Sequence, residues 1–329
     1  MSTQPLVSIC TTTYNHARYL RQTLDSFLSQ QCDFPFEILV HDDVSTDGTI
    51  EILQEYAQRY PDIVKPLFEE ENQYSKGVPI NETFNFPRAQ GKYIAFCEGD
   101  DYWCDPTKLQ RQIDHMESDP SCTFCFTNGY IHDENGVNPD REFLPYYESE
   151  RPYYTGKSAR YELADIARLT FIPMAGVVFR VDALRSLPDT FLKPCEHGDL
   201  RMKLFLTAAG HAWYEHVFGC VYRENVSGSA MQIWKKEKRD KLYRRCATVV
   251  EMVEDVNRFS GGRAQEALYE AVRDHYLWVM AHNAPDLRAL TTGQVGRIFW
   301  KLPLKEKLRC SMRLMLPSAL VQWLKQKGV

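Results

Sequence analysis

Two pairs of adjacent carboxylates in this sequence are placed like groups that bind a charged ligand. Asp100 and Asp101 follow an apolar run and close residues 98–101 (EGDD), the acidic loop, while Asp42 and Asp43 follow an earlier apolar run. Hard divalent cations such as Mg²⁺ take carboxylate oxygens, with phosphates and water completing their coordination. A carboxylate can also accept hydrogen bonds from a nucleobase or from ribose hydroxyls. Either pair could instead be a capped, solvated turn, which is common for aspartate in loops.

The elements that must position these pairs alternate between strand-like and helix-like runs over roughly the first 130 residues. Apolar runs at residues 6–11, 36–40 and 93–97 have the length of buried strands, and apolar residues recur at helical spacing between them. This alternation predicts βαβ units and an α/β fold with a mainly parallel sheet. Ligands bind such sheets outside the carboxyl ends of the strands. We therefore expect the polar segment 12–15 and both carboxylate pairs at one sheet edge.

Three segments resemble the signature blocks of family 2 glycosyltransferases, which have the Rossmann-like GT-A fold. They are residues 7–15 (VSICTTTYN), 37–49 (EILVHDDVSTDGT) and 91–103 (GKYIAFCEGDDYW), in the family's order and spacing. The resemblance implies an inverting transferase that moves a sugar from a nucleotide-sugar, with UDP-sugars favoured. It implies as acceptor a hydroxyl of a glycan or lipid-linked glycan, in the synthesis of a cell-surface polysaccharide such as lipopolysaccharide, O-antigen or capsule.

The resemblance also implies roles for single residues of the nucleotide-sugar site. Thr12 and Tyr14 match positions that line the nucleobase pocket, with Tyr14 stacking on the base, and Asn15 belongs to the same block. Asp43 matches the carboxylate that reads the uracil edge, and Asp42 lies beside it.

A second set of implied roles concerns the metal. Asp100 and Asp101 match the aspartates that contact the ribose and a Mn²⁺ or Mg²⁺ ion bound to the diphosphate. Glu98 stands where the common D-x-D-D motif has its first aspartate, so the carboxylate that binds the metal directly is left open.

Asp199, in residues 196–200 (EHGDL), matches the general base of the family, which removes the proton of the acceptor hydroxyl as that oxygen attacks the anomeric carbon. Glu196 and His197 are the alternative bases. A structural alternative is that Asp199 only stabilises the amino end of a helix through the helix dipole.

Residues 221–229 (VYRENVSGS) resemble the Tyr-Arg-x-His-x-x-Ser block that closes over the diphosphate. Arg223 is therefore expected to offer positive charge to the leaving group. Asn225 stands where the family usually has histidine, which argues against a metal ligand at this position.

Four further residues have binding interpretations that the sequence does not favour. Cys122 and Cys125 have the spacing of half a zinc site, but no second CxxC and no suitably spaced histidine pair accompany them. We expect the ten cysteines to be reduced and mostly buried. Trp103 and Trp213 could stack on sugar faces, although burial in the core is the favoured interpretation.

Composition sets limits on the class of protein. At 329 residues, 44% hydrophobic and 25% charged, the chain has ordinary globular composition. A formal net charge of −5 argues against a nucleic-acid partner. The sequence shows neither a signal segment nor the ~20 apolar residues that a membrane span needs, so we expect a cytoplasmic protein.

The pattern of the sequence changes near residue 230, from alternating strand-like and helix-like runs to a mostly helical composition. We expect residues 1–230 to form a catalytic nucleotide-sugar-binding domain and residues 231–329 a helical C-terminal region. From residue 299 onward, large apolar residues alternate with lysines and arginines. Such a basic amphipathic segment predicts either contact with the cytoplasmic face of a membrane or a helical layer packed on the catalytic domain.

Two other functional classes stay open at this point. A sugar nucleotidyltransferase is one, although it would usually carry a glycine-rich basic loop after its first strand, and residues 11–18 contain no glycine. A catalytically inactive nucleotide-sugar-binding scaffold is the other. Release of UDP from a panel of sugar nucleotides separates these classes.

Overall fold

A computed structural model describes residues 4–144, 156–169, 171–193, 195, 197–227, 238–271, 278–300, 302–316 and 320. The chain divides into two compact units, one of Met1–Asp189 with Gly198–Ser227 and the other of Thr190–His197 with Gly228–Val329. The functional division that we expect near residue 230 stays a prediction.

The first unit is an α/β structure built on one ten-stranded sheet with flanking helices, as expected. Its strands are β1 (Val7–Thr13), β2 (Phe36–Asp42), β3 (Val64–Phe68), β4 (Tyr93–Phe96), β5 (Tyr102–Trp103), β6 (Cys122–Asp133), β7 (Arg141–Glu142), β8 (Ala159–Tyr161), β9 (Val178–Arg180) and β10 (His211–Glu224). The order is β3-β2-β1-β4-β9-β6-β10-β5, with β7 beside β6 and β8 beside β10.

The direction of the strands decides which loops meet. β1 runs parallel to β2 and β4, β2 runs parallel to β3, and β6 runs parallel to β10. The short strand β9 is antiparallel to both β4 and β6 and so joins two parallel groups that point the same way. As a result β1, β2, β4, β6 and β10 all have their carboxyl ends at one edge of the sheet, and their amino ends lie at the opposite edge.

The helices of this unit pack an apolar face on the sheet. In α1, Leu20, Leu24 and Phe27 recur at helical spacing and are fully buried. Asp47 supplies the cap of this helix from another loop, since its Oδ2 accepts from the backbone N–H of Ala17 (3.0 Å). The helices are α1 (Ala17–Leu28), α2 (Thr49–Arg59), α3 (Phe86–Arg88), α4 (Lys108–Ser118), α5 (Leu163–Arg168), α6 (Val181–Arg185) and α7 (Gly198–Ala209).

The second unit is helical, as the sequence predicts. Asp286 begins one of its helices by accepting from the backbone N–H of Ala289 (2.6 Å). Its helices are α8 (Arg239–Phe259), α9 (Gln265–Ala271), α10 (Trp278–Asn283), α11 (Leu287–Thr291), α12 (Gly293–Phe299) and α13 (Leu304–Met315). Across the described ranges, no helix combines the length and the apolar character needed to cross a bilayer. Most of the expected basic tail beyond residue 316 lies outside the described residues.

Candidate active site

The loops that follow β1, β2 and β4 are joined by hydrogen bonds at the carboxyl edge of the sheet. The backbone N–H of Gly99 in the acidic loop donates to the carbonyl of Thr12 (2.9 Å). The backbone N–H of Asn15 donates to Ser45 Oγ (2.8 Å), and that of Thr46 donates to Asn15 Oδ1 (2.8 Å). Thr12 and Asn15 therefore connect the first loop to the other two, which fixes the spacing between the two carboxylate pairs.

Two backbone features constrain these loops. Gly99 has no room for a side chain, because a Cβ there would lie 2.9 Å from Thr13 Oγ1 and 3.0 Å from His16 Nδ1. Val44 has a φ of 68°, a conformation that costs a β-branched residue on the order of 1–3 kcal/mol. Tyr14 projects beside them and keeps 49% of its surface exposed. Its ring is thus accessible to a ligand at this edge.

The carboxylates of Asp42 and Asp43 both bind protein groups. Asp42 is fully buried and accepts from the hydroxyl (2.5 Å) and backbone N–H (3.0 Å) of Ser45. Asp43 accepts from the backbone N–H groups of Gln73 (2.7 Å) and Tyr74 (3.0 Å). Asp42 therefore has the turn-capping geometry of the structural alternative. Asp43 fastens the segment after β3 to the site and retains further acceptor positions, since a carboxylate has about four.

Asp101 points inward and holds the acidic loop against β10. Only 3% of it is exposed, and its Oδ1 accepts from the backbone N–H of Arg223 (2.8 Å). Thr23 donates its hydroxyl to the carbonyls of Gly99 (3.0 Å) and Asp101 (2.6 Å), which fixes the loop to α1 as well. Asp100 is only partly buried, and its Oδ2 lies 3.9 Å from Nε2 of His16. Asp100 is thus the more accessible carboxylate of the pair.

The negative charges of the acidic loop are close enough to oppose ionisation. Burial and the nearby Asp100 raise the pKa of Asp101 well above its usual range, and Glu98 adds to the shift. Burial, Asp100 and then Asp199 raise the pKa of Glu98 to about 8. This oxygen-only donor set fits a hard divalent cation, which would relieve the repulsion among the three loop carboxylates.

Replacing Glu98 by glutamine is expected to stabilise the metal-free protein at mildly alkaline pH. The pKa of Glu98 rises from 4.5 to about 8 on folding, so the folded state binds more protons than the unfolded state between these two pH values, which define the pH window of the experiment. The free energy of unfolding should therefore fall as the pH rises through this window. The variant should unfold with a free energy at least about 1 kcal/mol larger near the top of the window, since one pKa unit corresponds to about 1.4 kcal/mol. Urea denaturation with a chelator across the window measures this, and identical pH profiles for both proteins would contradict it.

The guanidinium of Arg223 contacts two aromatic rings and hydrogen-bonds to two other residues of the site. Its guanidinium is sandwiched between the rings of Tyr19 and Tyr102, with centroids 4.9 and 4.6 Å from Cζ. One terminal nitrogen donates to the backbone carbonyl of Asp100 and the other to Oε1 of Gln22 (2.5 Å). A guanidinium has five N–H donors, so part of this capacity remains for an anionic ligand.

Glu134 is a site residue that the sequence analysis missed. Its carboxylate pairs with Nε of Arg223 (3.2 Å) and with Arg18 (3.1 Å), and the hydroxyl of Tyr19 donates to it (3.4 Å). Glu134 directly follows β6, so the rule that places polar residues of strand ends at the ligand edge could have found it. The carboxylate of Glu134 balances the positive charge of Arg223 and holds the guanidinium in its orientation.

Asp199 lies in the first turn of α7 and is partly buried. The rest of α7 is almost wholly buried, and Arg201 anchors it through an ion pair with Glu82 (2.5 Å). The effect of Asp199 on the pKa of Glu98 places its charge near the acidic loop. Of the alternative bases, Glu196 lies outside the described residues and His197 belongs to the second unit.

The remaining predicted residues pack within the first unit. Trp103 is 4% exposed and donates to the carbonyl of Ala175 (2.6 Å), while the ring of Trp213 stacks on His115 with centroids 3.9 Å apart. Trp103 thus lies in the core, as expected, whereas Trp213 is only partly buried and packs against the core. Asn225 donates to Asp133 Oδ1 (2.9 Å) and so closes the end of β10 onto the end of β6.

Comparison with known proteins gives the same family as the sequence blocks. A family model, Glycosyl transferase family 2, matches residues 8–184, more than half of the chain. An uncharacterized protein of Mycobacterium tuberculosis is 41% identical over 139 residues, covering 42% of this chain and 39% of that protein. The putative teichuronic acid biosynthesis glycosyltransferase TuaG of Bacillus subtilis is 36% identical over 138 residues, covering 42% of this chain and 52% of that protein.

One relative is named for a defined reaction. It is the UDP-Glc:alpha-D-GlcNAc-diphosphoundecaprenol beta-1,3-glucosyltransferase WfaP of Escherichia coli, which is 36% identical over 126 residues, covering 38% of this chain and 47% of that protein. The chain thus spans about half, or less, of the length of the curated relatives that it matches.

Solved structures share the fold over almost the whole chain. Residues 1–349 of Staphylococcus aureus TarS, in complex with UDP-GlcNAc, give a TM-score of 0.55 at 17% identity, covering 92% of this chain and 77% of that one. The mannosyltransferase PcManGT of Pyrobaculum calidifontis, in complex with GDP-Man and Mn²⁺, gives a TM-score of 0.54 at 16% identity, covering 94% of this chain and 84% of that one. Likeness at these identities shows the fold alone, and it confirms the expected GT-A fold.

Proposed function

Because this chain belongs to glycosyltransferase family 2, we propose that it transfers a sugar from a nucleotide-sugar, with UDP the favoured nucleotide, to a hydroxyl of a glycan. The observation that carries the proposal is the group of Glu98, Asp100 and Asp101 at the carboxyl edge of the sheet, within electrostatic reach of Asp199. Such a group suits a diphosphate that arrives with a divalent cation, and it supplies a further carboxylate for an acceptor.

The donor's nucleoside would bind between the first two loops. Tyr14, exposed and adjacent to Thr12, would stack on the base. Asp43 would accept from the uracil imide with the acceptor positions left by its bonds to Gln73 and Tyr74. Asn15 and Asp42 would contribute by holding the two loops in place rather than by touching the nucleotide.

The diphosphate would lie over the acidic loop. Asp100 and Asp101 would hold Mn²⁺ or Mg²⁺, which when bound neutralises the charge that develops on the leaving diphosphate. Arg223 would position Asp100 through its backbone carbonyl and direct its remaining N–H donors at the phosphate oxygens. Glu134 keeps the guanidinium in that orientation.

The reaction would be a single inverting displacement. The acceptor hydroxyl oxygen forms a bond to the anomeric carbon, its proton passes to the carboxylate of Asp199, and the bond from that carbon to the diphosphate oxygen breaks. The nucleoside diphosphate leaves from the face opposite the attacking oxygen. Asp199 suits this role because it stands at the amino end of a buried, anchored helix, which fixes its position.

TuaG and WfaP support a cell-surface polysaccharide as the product class, since one is named for teichuronic acid and the other for an undecaprenol-linked acceptor. We accordingly propose a glycan or lipid-linked glycan acceptor on the cytoplasmic side of a membrane. The segment of residues 133–154, which we expect to shape the site, would help to set the donor sugar and the linkage; residues 145–154 of it lie outside the described residues.

The test of the proposed function is release of nucleoside diphosphate from a panel of UDP- and GDP-sugars, with and without Mn²⁺. A transferase releases UDP from one or a few donors, and faster when an acceptor glycan is present. Binding of the donors without release, in the presence of acceptor and cation, would identify an inactive scaffold. Formation of a sugar nucleotide from a sugar phosphate and UTP would identify a nucleotidyltransferase.

Helix α13 supports the further proposal that the chain touches an anionic membrane surface. Leu304, Leu308, Met312 and Met315 recur along one side of this helix, and 72, 55, 57 and 70% of their surfaces are exposed. A ridge of exposed apolar side chains at helical spacing is typical of helices that lie in a membrane interface. Four basic residues lie on the same helix: Lys305, Lys307, Arg309 and Arg313.

Replacing both Leu308 and Met312 by serine is expected to weaken binding to vesicles that contain phosphatidylglycerol by at least about 10-fold. Burying a leucine or methionine side chain contributes roughly 1.5–3 kcal/mol, and about 1.4 kcal/mol is a factor of ten. Co-sedimentation measures the change. Leu287→Ser, an exposed leucine of α11 outside the ridge, is the matched control and should bind like the parent protein. Equal binding of all three proteins would exclude α13 as the contact.

A further inference from the structure

At the amino edge of the sheet, opposite the acidic loop, three side chains with metal-binding atoms meet from three elements. His115 lies in the last turn of α4, Cys122 begins β6 and His211 begins β10. Cys122 and His211 are register partners in the parallel pairing of their strands. One nitrogen of each imidazole and the sulfur of Cys122 lie within 4.8 Å of one another. None of these residues takes part in the proposed sugar transfer.

These side chains are shielded from water and only partly satisfied by protein groups. Cys122 is 0% exposed and His211 is 1% exposed, while His115 is partly buried. Nε2 of His115 and Nε2 of His211 are buried, and neither makes a hydrogen bond of good geometry within the described part of the chain, although a carboxylate oxygen of Asp119 lies 3.2 Å from Nε2 of His211. Buried polar atoms without a hydrogen bond are rare in folded proteins, and a bound ion is one of the recognised explanations.

A carboxylate lies beside the cluster. Oδ1 of Asp119 accepts from the hydroxyl (2.6 Å) and backbone N–H (3.0 Å) of Ser121, while its Oδ2 lies 3.2 Å from Nε2 of His211. Ser121 Oγ also lies 3.4 Å from Nδ1 of His211. Ligating histidines commonly use their second nitrogen in this way, because the contact fixes the orientation of the ring. The ring of Trp213, stacked on His115 at an interplanar angle of 11°, holds the other imidazole.

We propose that His115, Cys122 and His211, with Asp119 as the fourth ligand, bind a divalent cation of the zinc class. Two imidazoles, one thiolate and one carboxylate are ligands that zinc prefers, in contrast to the oxygen ligands of the acidic loop. Tetrahedral bonds of about 2.0–2.3 Å place ligand atoms roughly 3.3–3.8 Å apart, so the atoms of His115, Cys122 and His211, which lie within 4.8 Å of one another, need to close by about 1 Å. The ion would cross-link the end of α4 to the starts of β6 and β10.

The protonation states favour such a site once the ion arrives. Burial lowers the pKa of His115 and of His211, so both imidazoles are neutral and able to coordinate. Burial raises the pKa of the Cys122 thiol to about 12, and this thiol donates to the carbonyl of Phe124 (3.5 Å). Binding therefore replaces that thiol proton with the ion and releases the proton to solvent.

The direct test is titration of chelator-stripped full-length protein with Co²⁺, followed by absorption spectroscopy. We expect a thiolate-to-cobalt charge-transfer band and the intense visible bands of tetrahedral cobalt, saturating at one equivalent and abolished by Zn²⁺. Zn²⁺ should also raise the melting temperature of the protein. Octahedral cobalt spectra without a charge-transfer band, or no spectrum at all, would overturn the proposal.

Variants locate the site. Cys122→Ala should remove the charge-transfer band and lower the affinity for Co²⁺ at least ~100-fold, and His115→Ala, at the partly buried ligand, should keep the fold and lower it at least ~10-fold. Cys125→Ala is the matched control, since Cys125 is an equally buried cysteine of the same CxxC segment and lies 3.6 Å from Nε2 of Gln112 instead. A band of unchanged intensity in Cys122→Ala would also overturn the proposal.

Discussion

Replacement of Asp199 by asparagine is expected to abolish sugar transfer while leaving the affinity for UDP nearly unchanged. Asparagine has the same size as aspartate but cannot take up the proton of the acceptor hydroxyl, and loss of a general base typically lowers kcat about 10²- to 10⁴-fold. The carboxylate lies on α7, whereas the residues proposed to contact UDP lie at the carboxyl ends of β1, β2, β4 and β10. Initial rates of UDP release with acceptor, together with calorimetric titration of UDP, measure the two effects separately.

Asp182→Asn provides the matched control for this experiment. Asp182 is also a first-turn aspartate, in α6, but its side chain is 79% exposed and is expected to play no part in the reaction. Both variants lose a first-turn charge, so a helix-dipole effect alone would change both to a similar and small extent. If the Asp199 variant kept its transfer rate, the base would have to be another group, and Glu196 and His197 would be examined next.

Much of the fold and part of the site follow from local sequence patterns. The mostly apolar runs that predict β1, β2 and β4 form strands that are buried except for one partly buried residue each in β1 and β2, because strands covered on both faces have near-continuous apolar sequences. The rule for strand ends then brings Thr12, Asp43 and Asp100 to one edge. The cap at Asp42 was also open to prediction, since Ser45 lies only three residues away and such turns are local.

The roles of single carboxylates could not be predicted, because they depend on partners far away in the chain. Asp101 accepts from a residue 122 positions later, and this contact turns it inward while Asp100 stays accessible. The pairing of Arg223 with Glu134 likewise joins two strand ends, β10 and β6, that no short motif relates. Sequence blocks identify which residues matter, whereas the direction in which each carboxylate points is decided by tertiary contacts.

The Cys122-x-x-Cys125 segment is a second case in which partners distant in the sequence decide the role of a residue. The segment lies in β6, whose register with β10 shifts between Cys122 and Phe124. Cys122 lies beside His115 and His211, whereas Sγ of Cys125 lies 3.6 Å from Nε2 of Gln112, so the two cysteines have different partners. The partners of Cys122 instead come from α4 and β10, and His115 and His211 are too widely spaced in sequence to be recognised as a pair.

Replacement of Asp100 by asparagine is expected to lower kcat/KM at saturating Mn²⁺ on the order of 10²- to 10³-fold, because the cation that neutralises the leaving diphosphate would be less well positioned, and losing one such stabilising interaction usually costs about this much. The fold should survive, because Arg223 holds the backbone carbonyl of Asp100 rather than its side chain. The concentration of Mn²⁺ that gives half-maximal rate should rise in the variant. Chelation should abolish transfer by the parent protein, and added Mn²⁺ should restore it.

Glu98→Gln is the informative comparison for Asp100→Asn, since it tests the carboxylate whose role the family motif leaves open. If Glu98 only accepts hydrogen bonds when protonated, glutamine can replace it, and the dependence on Mn²⁺ should stay that of the parent protein. If Glu98 coordinates the ion, the half-maximal Mn²⁺ concentration should rise in both variants. An Asp100→Asn variant with an unchanged rate and Mn²⁺ dependence would remove Asp100 from the metal site, and Asp101, whose Oδ1 already accepts from Arg223, would have to hold the ion through its other oxygen.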